Sequence, residues 1–433
     1  MIHQLSLLKK KWLFTGIVIL CLAGTGFYKN LFAKNDDSYK NLETFSTVLD
    51  IIEKNYVDEV DSKLLIENAI KGMLSGLDPH SLFLLSEDLE ELQIDTKGKF
   101  TGVGISITEK NGFITVISPI EGTPAYKAGI KPGDRIIKVN NEQVKDLHEA
   151  VKKIRGPKNT SVMVTILREG LSEPKEIKLI RDIIPIINVK STFLKPGYGY
   201  VWITSFREQT TKDLEAALEK LEKPNPLKGL ILDLRDNPGG LLPQALKVSD
   251  LFLEKGKIVS IKGRVKNRTE HYNAHEDKQA RNYPMVVLIN AGSASASEIV
   301  AGALQDNNRA LILGTTSFGK GSVQSVETLE GNYGLKLTIA RYYTPSGRSI
   351  QGKGIEPDII VKKRFIGAND YKTDSELREK DLKNHLKPLP LIDKHPEFIL
   401  GYHGKITQER LKSDNQVMQA MNILTGYKIL SGK

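Results

Sequence analysis

Three short segments carry residue types that could do chemistry. In VVLINAGSASASEIVAGALQD an apolar run, Val286 to Ile289, passes through small residues into a helical pattern beginning at about Ser295. Strand, sharp turn and helix in that order is a geometry that exposes a nucleophile. Ser295, Glu298, Gly302 and Asp306 follow at helical steps and share one face. The same Ser295-x-x-Glu298 spacing also makes a capping box, in which the serine only satisfies backbone donors, so this segment alone leaves both readings open. It is not a G-x-S-x-G elbow, because Ala294 and Ala296 follow Ser293 where that motif differs.

The second segment, ALILGTTSFGKGSVQS, sets Lys320 between Gly319 and Gly321 just after another apolar strand. A serine hydroxyl needs a base, and a lysine serves if burial and the positive end of a helix lower its pKa. Moving it from about 10.4 to near 7 takes about 4 kcal/mol, within reach of an apolar site. Gln324 is placed to hydrogen-bond the amine, and a solvated loop lysine is the competing reading. The third segment, DLRDNPGGLL, puts Gly239 and Gly240 at a strand-to-helix turn. Such a turn presents N–H groups suited to an oxyanion hole, completed by the N–H of Ala296, and also serves as an ordinary tight turn.

Other chemistries find less support. GTTSFGK opens like a P-loop, but Gly321 stands where Ser or Thr must hold magnesium, and the residues beyond alternate as a strand. His271 and His275 fall in a polar loop and His80 in GLDPHS reads as structural, so no Ser/His/Asp set assembles. No HExxH or clustered ligand set occurs, and neither metal nor cofactor is expected. The single cysteine, Cys21, excludes an intrachain disulfide and a thiol nucleophile in the folded body. The net charge of +10 is spread among alternating signs, which argues against nucleic acid and leans weakly towards anionic lipid.

These segments need elements to position them. Lys9 to Lys11 followed by the apolar run Trp12 to Tyr28 has the order of an export signal or uncleaved anchor, assigned to residues 1–33, and implies membrane association through that end. Helical spacing of Phe45, Val48, Ile51 and Ile52, then Leu64, Leu65, Ala69 and Met73, gives a small helical domain over 40–98. Residues 99–182 change to short alternating runs, a β-rich module. Residues 183–362 alternate strands and helices as an α/β body, and 363–433 form a charged, mostly helical tail.

Two resemblances emerge from the motifs. GVGISI with AGIKPGDRIIKVN resembles a PDZ domain, with Gly102, Val103, Gly104 and Ile105 as its carboxylate-binding loop and the helix from His148 to Ile154 as the groove wall. Such a module takes an extended peptide as an added strand. With GMLSGLDPHS, KIRGP, LDLRDNPGGLL, GSASASEIVAGALQD, TSFGKGSVQ and RYYTPSGRSIQGKGIEPDI, nearly the whole chain from about residue 40 resembles the C-terminal processing peptidases. The resemblance implies a crotonase-like α/β serine peptidase core with an inserted PDZ domain and helical N- and C-terminal segments. It implies Ser295 as nucleophile, Lys320 as general base, Gln324 orienting the lysine, and Glu298 and Asp306 in support. The oxyanion hole maps to Ala296 and the Gly239-Gly240 turn, the donor glycine being undecided. Substrates are proteins or peptides with free C-termini in the periplasm or cell envelope, recruited or gated by the PDZ domain. Arg155 is a gating contact or a solvated helix end. Self-association through the helical segments and a regulatory partner are further implications. The rival of another class is a non-catalytic envelope scaffold using only the PDZ module.

Overall fold

The computed structural model describes residues 37–110, 112–264, 269–276, 281–364, 378–382 and 406–431. The expected export signal or anchor at 1–33 lies outside them, as does most of the tail between 365 and 405. Among the described residues no helix is long and apolar enough to cross a membrane. The chain divides into two compact units, Met1–Leu74 and Ser75–Lys433.

The first unit contains a helix over 37–55 and nearly all of the helix Ser62–Ser75. Its helical periodicity is as expected, but Phe45, Val48 and Ile51 remain 45%, 50% and 52% exposed, so the apolar stripe does not form a buried core among the described residues.

The second unit is built on a six-stranded sheet in the order Val189–Lys195, Tyr198–Ile203, Gly229–Asp233, Met285–Ile289, Leu311–Gly314 and Ile359–Ile360. Only the first pair is antiparallel. The middle strands YGYVWI, GLILD and MVVLI are buried at every position, as parallel strands covered on both faces must be. Helices Thr210–Glu222, Leu242–Asp250 and Ala296–Asp306 pack on one face through Leu214, Leu218, Val248 and Val300. The helix Asn415–Ser431 covers the other through Val417, Ala420 and Leu424.

A second sheet centres on Gly334–Tyr343, flanked by Lys257–Gly263, Ser322–Thr328 and the short Leu82–Leu84. The chain after Pro79 is thus more than the end of a helical layer: Leu82–Leu84 pairs with Gly334 to Lys336, and Leu89 of the helix Ser86–Lys97 lies against Gly334. Sequence periodicity misses this because a three-residue strand is too short to show one. The β-rich module leaves and rejoins the body through one antiparallel pair, Lys99–Gly102 with Asp182–Pro185. Between them a sheet of its own, from Ile105–Lys110 to Lys175–Ile180, encloses a separate core that includes Val116, Ile136, Val164 and Leu179. In the tail, SELREKDLKNHL has a helical pattern, but its described part is a single 3-10 turn, Glu379–Asp381.

Candidate active site

Sheet order brings the three chemical segments together. Gly229–Asp233, Met285–Ile289 and Leu311–Gly314 are neighbouring parallel strands, so the loops leaving their C-terminal ends, 234–240, 290–295 and 315–321, emerge side by side. Backbone bonds join them directly: Ala294 N–H donates to Asn237 O at 3.0 Å, and Phe318 N–H to Ser293 O at 3.0 Å.

Ser295 ends the second loop with φ +54° and ψ −110°, a conformation a non-glycine residue adopts only when its surroundings impose it. Glu298, wholly buried one turn along the helix, supplies much of that constraint. Its Oε2 accepts the N–H of Ser295 at 2.8 Å and the N–H of Lys320 at 2.9 Å. Its Oε1 accepts the Ser317 hydroxyl at 2.6 Å and the Gly319 N–H at 2.7 Å. Four donors fill the acceptor capacity of an ionised carboxylate. Burial nevertheless raises its pKa to about 7, against the pull of those donors. The bond from Glu298 to the Ser295 N–H belongs to a capping box, so the structural role of this spacing is real, and the same carboxylate reaches beyond the helix to fix the lysine turn.

Burial lowers the Lys320 amine to about 8, helped by nearby Lys336 and opposed by Glu379, Glu298 and Asp78. About a tenth of it is then free amine at pH 7, against well under a thousandth for an ordinary lysine. The Ser295 hydroxyl and the Lys320 amine are not hydrogen-bonded to each other. Gly319, at φ +99°, and Gly321, where a Cβ would stand 2.5 Å from Gln351 N, allow the close approach of this turn.

The glycine pair stands against the serine: a Cβ on Gly239 would lie 2.9 Å from Ser295 Cβ and 3.0 Å from Ala296 N. Gly239 N–H is engaged by Asn237 Oδ1 at 2.9 Å. Gly239 O accepts the Phe206 N–H at 2.8 Å, so the trans peptide turns the Gly240 N–H the other way. By the same logic Ser295 O, taken by Glu298 and Ile299 N–H inside the helix, leaves the Ala296 N–H pointing out of its start. Neither the Gly240 nor the Ala296 N–H has a partner among the described residues.

Residues 197–361 match the model of peptidase family S41, 115–168 that of the PDZ domain, and 27–87 that of the activating protease CtpB N-terminal domain. The chain is 45% identical over 396 residues to a carboxy-terminal-processing protease of Bartonella bacilliformis, covering 90% of this chain and 89% of that one. The chain belongs to the carboxy-terminal processing protease family. It is 41% identical over 311 residues to the carboxy-terminal processing protease CtpA of Bacillus subtilis, covering 71% of this chain and 66% of that protein. Among solved structures, the photosystem II D1 C-terminal processing protease matches at 32% identity with a TM-score of 0.43, covering 73% of this chain and 92% of that one. As a member of this family the chain is a serine-type peptidase with a PDZ domain.

The remaining candidates of this family member are less concentrated. Gln324 does not bond the Lys320 amine; its carboxamide nitrogen donates to Ser322 Oγ at 2.7 Å and Thr338 Oγ1 at 3.4 Å. Asp306 lies about 16 Å along the helix from Ser295 and holds another loop, accepting Ser346 N–H at 2.9 Å and pairing with Arg348. Among the described residues Arg155 makes no polar contact with any of the three loops of the site: its guanidinium is 3.9 Å from Glu91 and lies over the Phe100 ring at 5.5 Å.

In the PDZ domain, Val103 O accepts from Ala125 N–H, and Gly104 O from Ile120 N–H and the Thr123 hydroxyl. With those carbonyls turned inward, the N–H groups of Gly104 and Ile105 face away from the core. Gly104 sits at φ +78° with Thr123 where a Cβ would be, so only glycine fits. Among the described residues Ile105–Lys110 is an edge strand, paired only with Phe113–Pro119, and the helix Leu147–Ile154 packs beside it.

Sequence reasoning missed Lys336, Glu379 and the link from Asp78 to Thr338. The only signal was GLDPHS, which the family resemblance marked without giving it a role.

Proposed function

We propose that this family member is an endopeptidase with a Ser295/Lys320 dyad that processes proteins at or near their C-termini in the cell envelope. Ser295 Oγ attacks the peptide carbonyl carbon as its proton passes to Lys320 Nζ. The oxyanion is held by the N–H groups of Ala296 and Gly240, because Gly239 already donates to Asn237. The C–N bond breaks, Lys320 returns the proton to the leaving amine, and an acyl ester remains on Ser295. Water then gives a proton to Lys320 and attacks the ester, releasing the new C-terminus and restoring the serine. The observation that carries this reading is the single oxygen of Glu298 that accepts both the Ser295 and the Lys320 N–H. It ties the hydroxyl-bearing and amine-bearing turns to one point.

The PDZ domain recognises substrate tails, with the carboxylate on the outward N–H groups of Gly104 and Ile105 and the peptide added beside Ile105–Lys110. It also gates the site. Its groove helix is held to the helix Ser86–Lys97 by Lys152 on Glu87 at 2.5 Å and Arg155 near Glu91, and that helix is anchored to the body by Arg207 on Asp95 at 2.7 Å. A hydroxyl and amine that are not yet bonded to each other fit a resting state that tail binding completes. The Lys9 to Tyr28 segment supports an envelope location, and the exposed Phe45, Val48 and Ile51 stripe supports self-association.

The test uses full-length wild type, Ser295→Ala and Lys320→Met with peptides ending in a free or an amidated carboxyl group. Products are mapped by mass spectrometry, and peptide binding is measured in parallel. The expected result is cleavage of the free-acid peptide by wild type alone, with binding retained in both variants. Equal cleavage by Ser295→Ala sinks the dyad; peptide binding without cleavage by wild type leaves a scaffold; equal cleavage of the amidated peptide sinks the tail recognition.

A further inference from the structure

The catalytic reading leaves GLDPHS and the tail turn Glu379–Asp381 without a role, and the structure brings the two together. Glu379 is wholly buried, and its carboxylate oxygens lie 2.9 and 2.8 Å from His80 Nε2. An ionised carboxylate only accepts, so Nε2 carries the hydrogen. Gln351 Nε2 donates to Glu379 Oε1 at 2.9 Å, while Gln351 Oε1 accepts the Gly321 N–H at 3.0 Å. The backbone N–H of Glu379 donates to Phe318 O at 3.1 Å. The lysine turn is therefore gripped on both sides of Lys320, at Phe318 and at Gly321.

His80 is itself fixed. Asp78, also buried, accepts the N–H groups of His80 and Ser81 at 2.8 and 3.0 Å and the Thr338 hydroxyl at 3.1 Å. Thr338 Oγ1 in turn accepts from Gln324. One end of this chain of bonds is the strand that carries Gln324, and the other is the turn that carries Lys320.

We infer that Glu379 is a positioning residue for Lys320 and that His80 holds it in place, so a turn of the tail completes the site. This inference rests on Lys320 being the base. Glu379 acts on the lysine in two ways: it pins the turn, and its charge favours the ammonium form. The other charges acting on Lys320 are Lys336 from the neighbouring sheet, Glu298 from the helix and Asp78 from the GLDPHS turn, with His80 as the partner of Glu379. Among them only Lys336 favours the free amine.

The experiment measures kcat and KM against pH for full-length wild type, Glu379→Gln, His80→Gln and Lys320→Met, with the melting midpoint of each. Glu379→Gln is expected to lower kcat about tenfold, leave KM within about twofold, and move the acidic limb of kcat/KM down by about one pH unit, since a negative charge beside the amine is gone. His80→Gln keeps that charge and loosens its hold, so kcat falls with little movement of the limb. A merely structural role would lower the active fraction without moving the limb. A folded Glu379→Gln with wild-type kcat and an unmoved limb overturns the inference while an inactive Lys320→Met upholds the dyad. An active Lys320→Met overturns both. If Glu379→Gln does not fold, a folded His80→Gln with wild-type kcat overturns the inference on its own.

Discussion

Replacing Glu298 by Gln separates holding the fold together from holding the site together. The side chain keeps its volume, but one oxygen becomes an NH2 group. Two backbone N–H groups, of Ser295 and Lys320, face Oε2, whereas Oε1 faces one backbone N–H and the Ser317 hydroxyl. The amide therefore settles with its oxygen at the Oε2 position. Gly319 N–H then meets a donor and the Ser317 hydroxyl loses its acceptor, which costs about 3 kcal/mol together. Against this stands the charge removed. The folded pKa of about 7, raised from 4.5, means that the buried carboxylate is disfavoured by about 3 kcal/mol once ionised. The native state binds the extra proton between those two values. The stabilisation from Glu298 is thus fully present below about pH 4.5 and lost as pH rises through about 7. The two effects nearly cancel above pH 7, so urea unfolding of E298Q at pH 8 is expected to give a stability within about 1.5 kcal/mol of wild type. Between pH 5 and 8 the variant should lack the wild-type decline. Activity has no such compensation: freeing Gly319 lets the lysine turn move, and a shift of about 1 Å is worth about 100-fold in kcat. Near-normal stability at pH 8 with a large loss of kcat is the expected pair. A wild-type kcat, or a variant that keeps the wild-type pH dependence of stability, refutes the reasoning.

Three further outcomes are expected. The kcat/KM profile of wild type should rise with pH through about 8, where the Lys320 ammonium loses its proton, and Lys336→Met should move that limb upward because removing the neighbouring cation favours the ammonium; a pH–rate series on both proteins checks the value and the sign. Gly240→Ala places a Cβ against Phe206 O at φ +136° and should lower kcat by about 10² to 10³-fold, read by steady-state assay beside a melting curve. Arg235→Met removes the buried partner of Asp233 at 2.9 Å and of Asp414 at 2.9 Å, leaving two carboxylates unpaired; limited proteolysis should then cut the helix Asn415–Ser431 free, at a stability cost of about 3–5 kcal/mol.

What could be read in advance follows the range of each signal. The three loops announced themselves through local patterns: apolar strands ending in glycine-rich or small-residue turns, each within a few residues of its chemistry. Their convergence was not in any local pattern. It follows from strand order, which places Gly229–Asp233, Met285–Ile289 and Leu311–Gly314 side by side. Gln324 shows the limit of the spacing argument: four residues from Lys320 in a β-strand, its amide is drawn to Ser322 and Thr338 instead. Asp306 shares a helix face with Ser295, but a face runs the length of a helix, and three turns carry it to another loop.

The groups that surround the amine were the least legible, and for a physical reason. His80 and Glu379 are 299 residues apart, so no periodicity or spacing can pair them. Glu379 sits in a charged run that reads as solvated surface, and only tertiary contact makes it a buried carboxylate. Ser295-x-x-Glu298 gives the opposite lesson. Capping and catalysis were competing explanations of one spacing, yet the carboxylate that bonds the start of the helix also bonds the lysine turn. The cap is the physical means by which the two turns are held to one point, so a local motif with a structural reason was also the best pointer to the site.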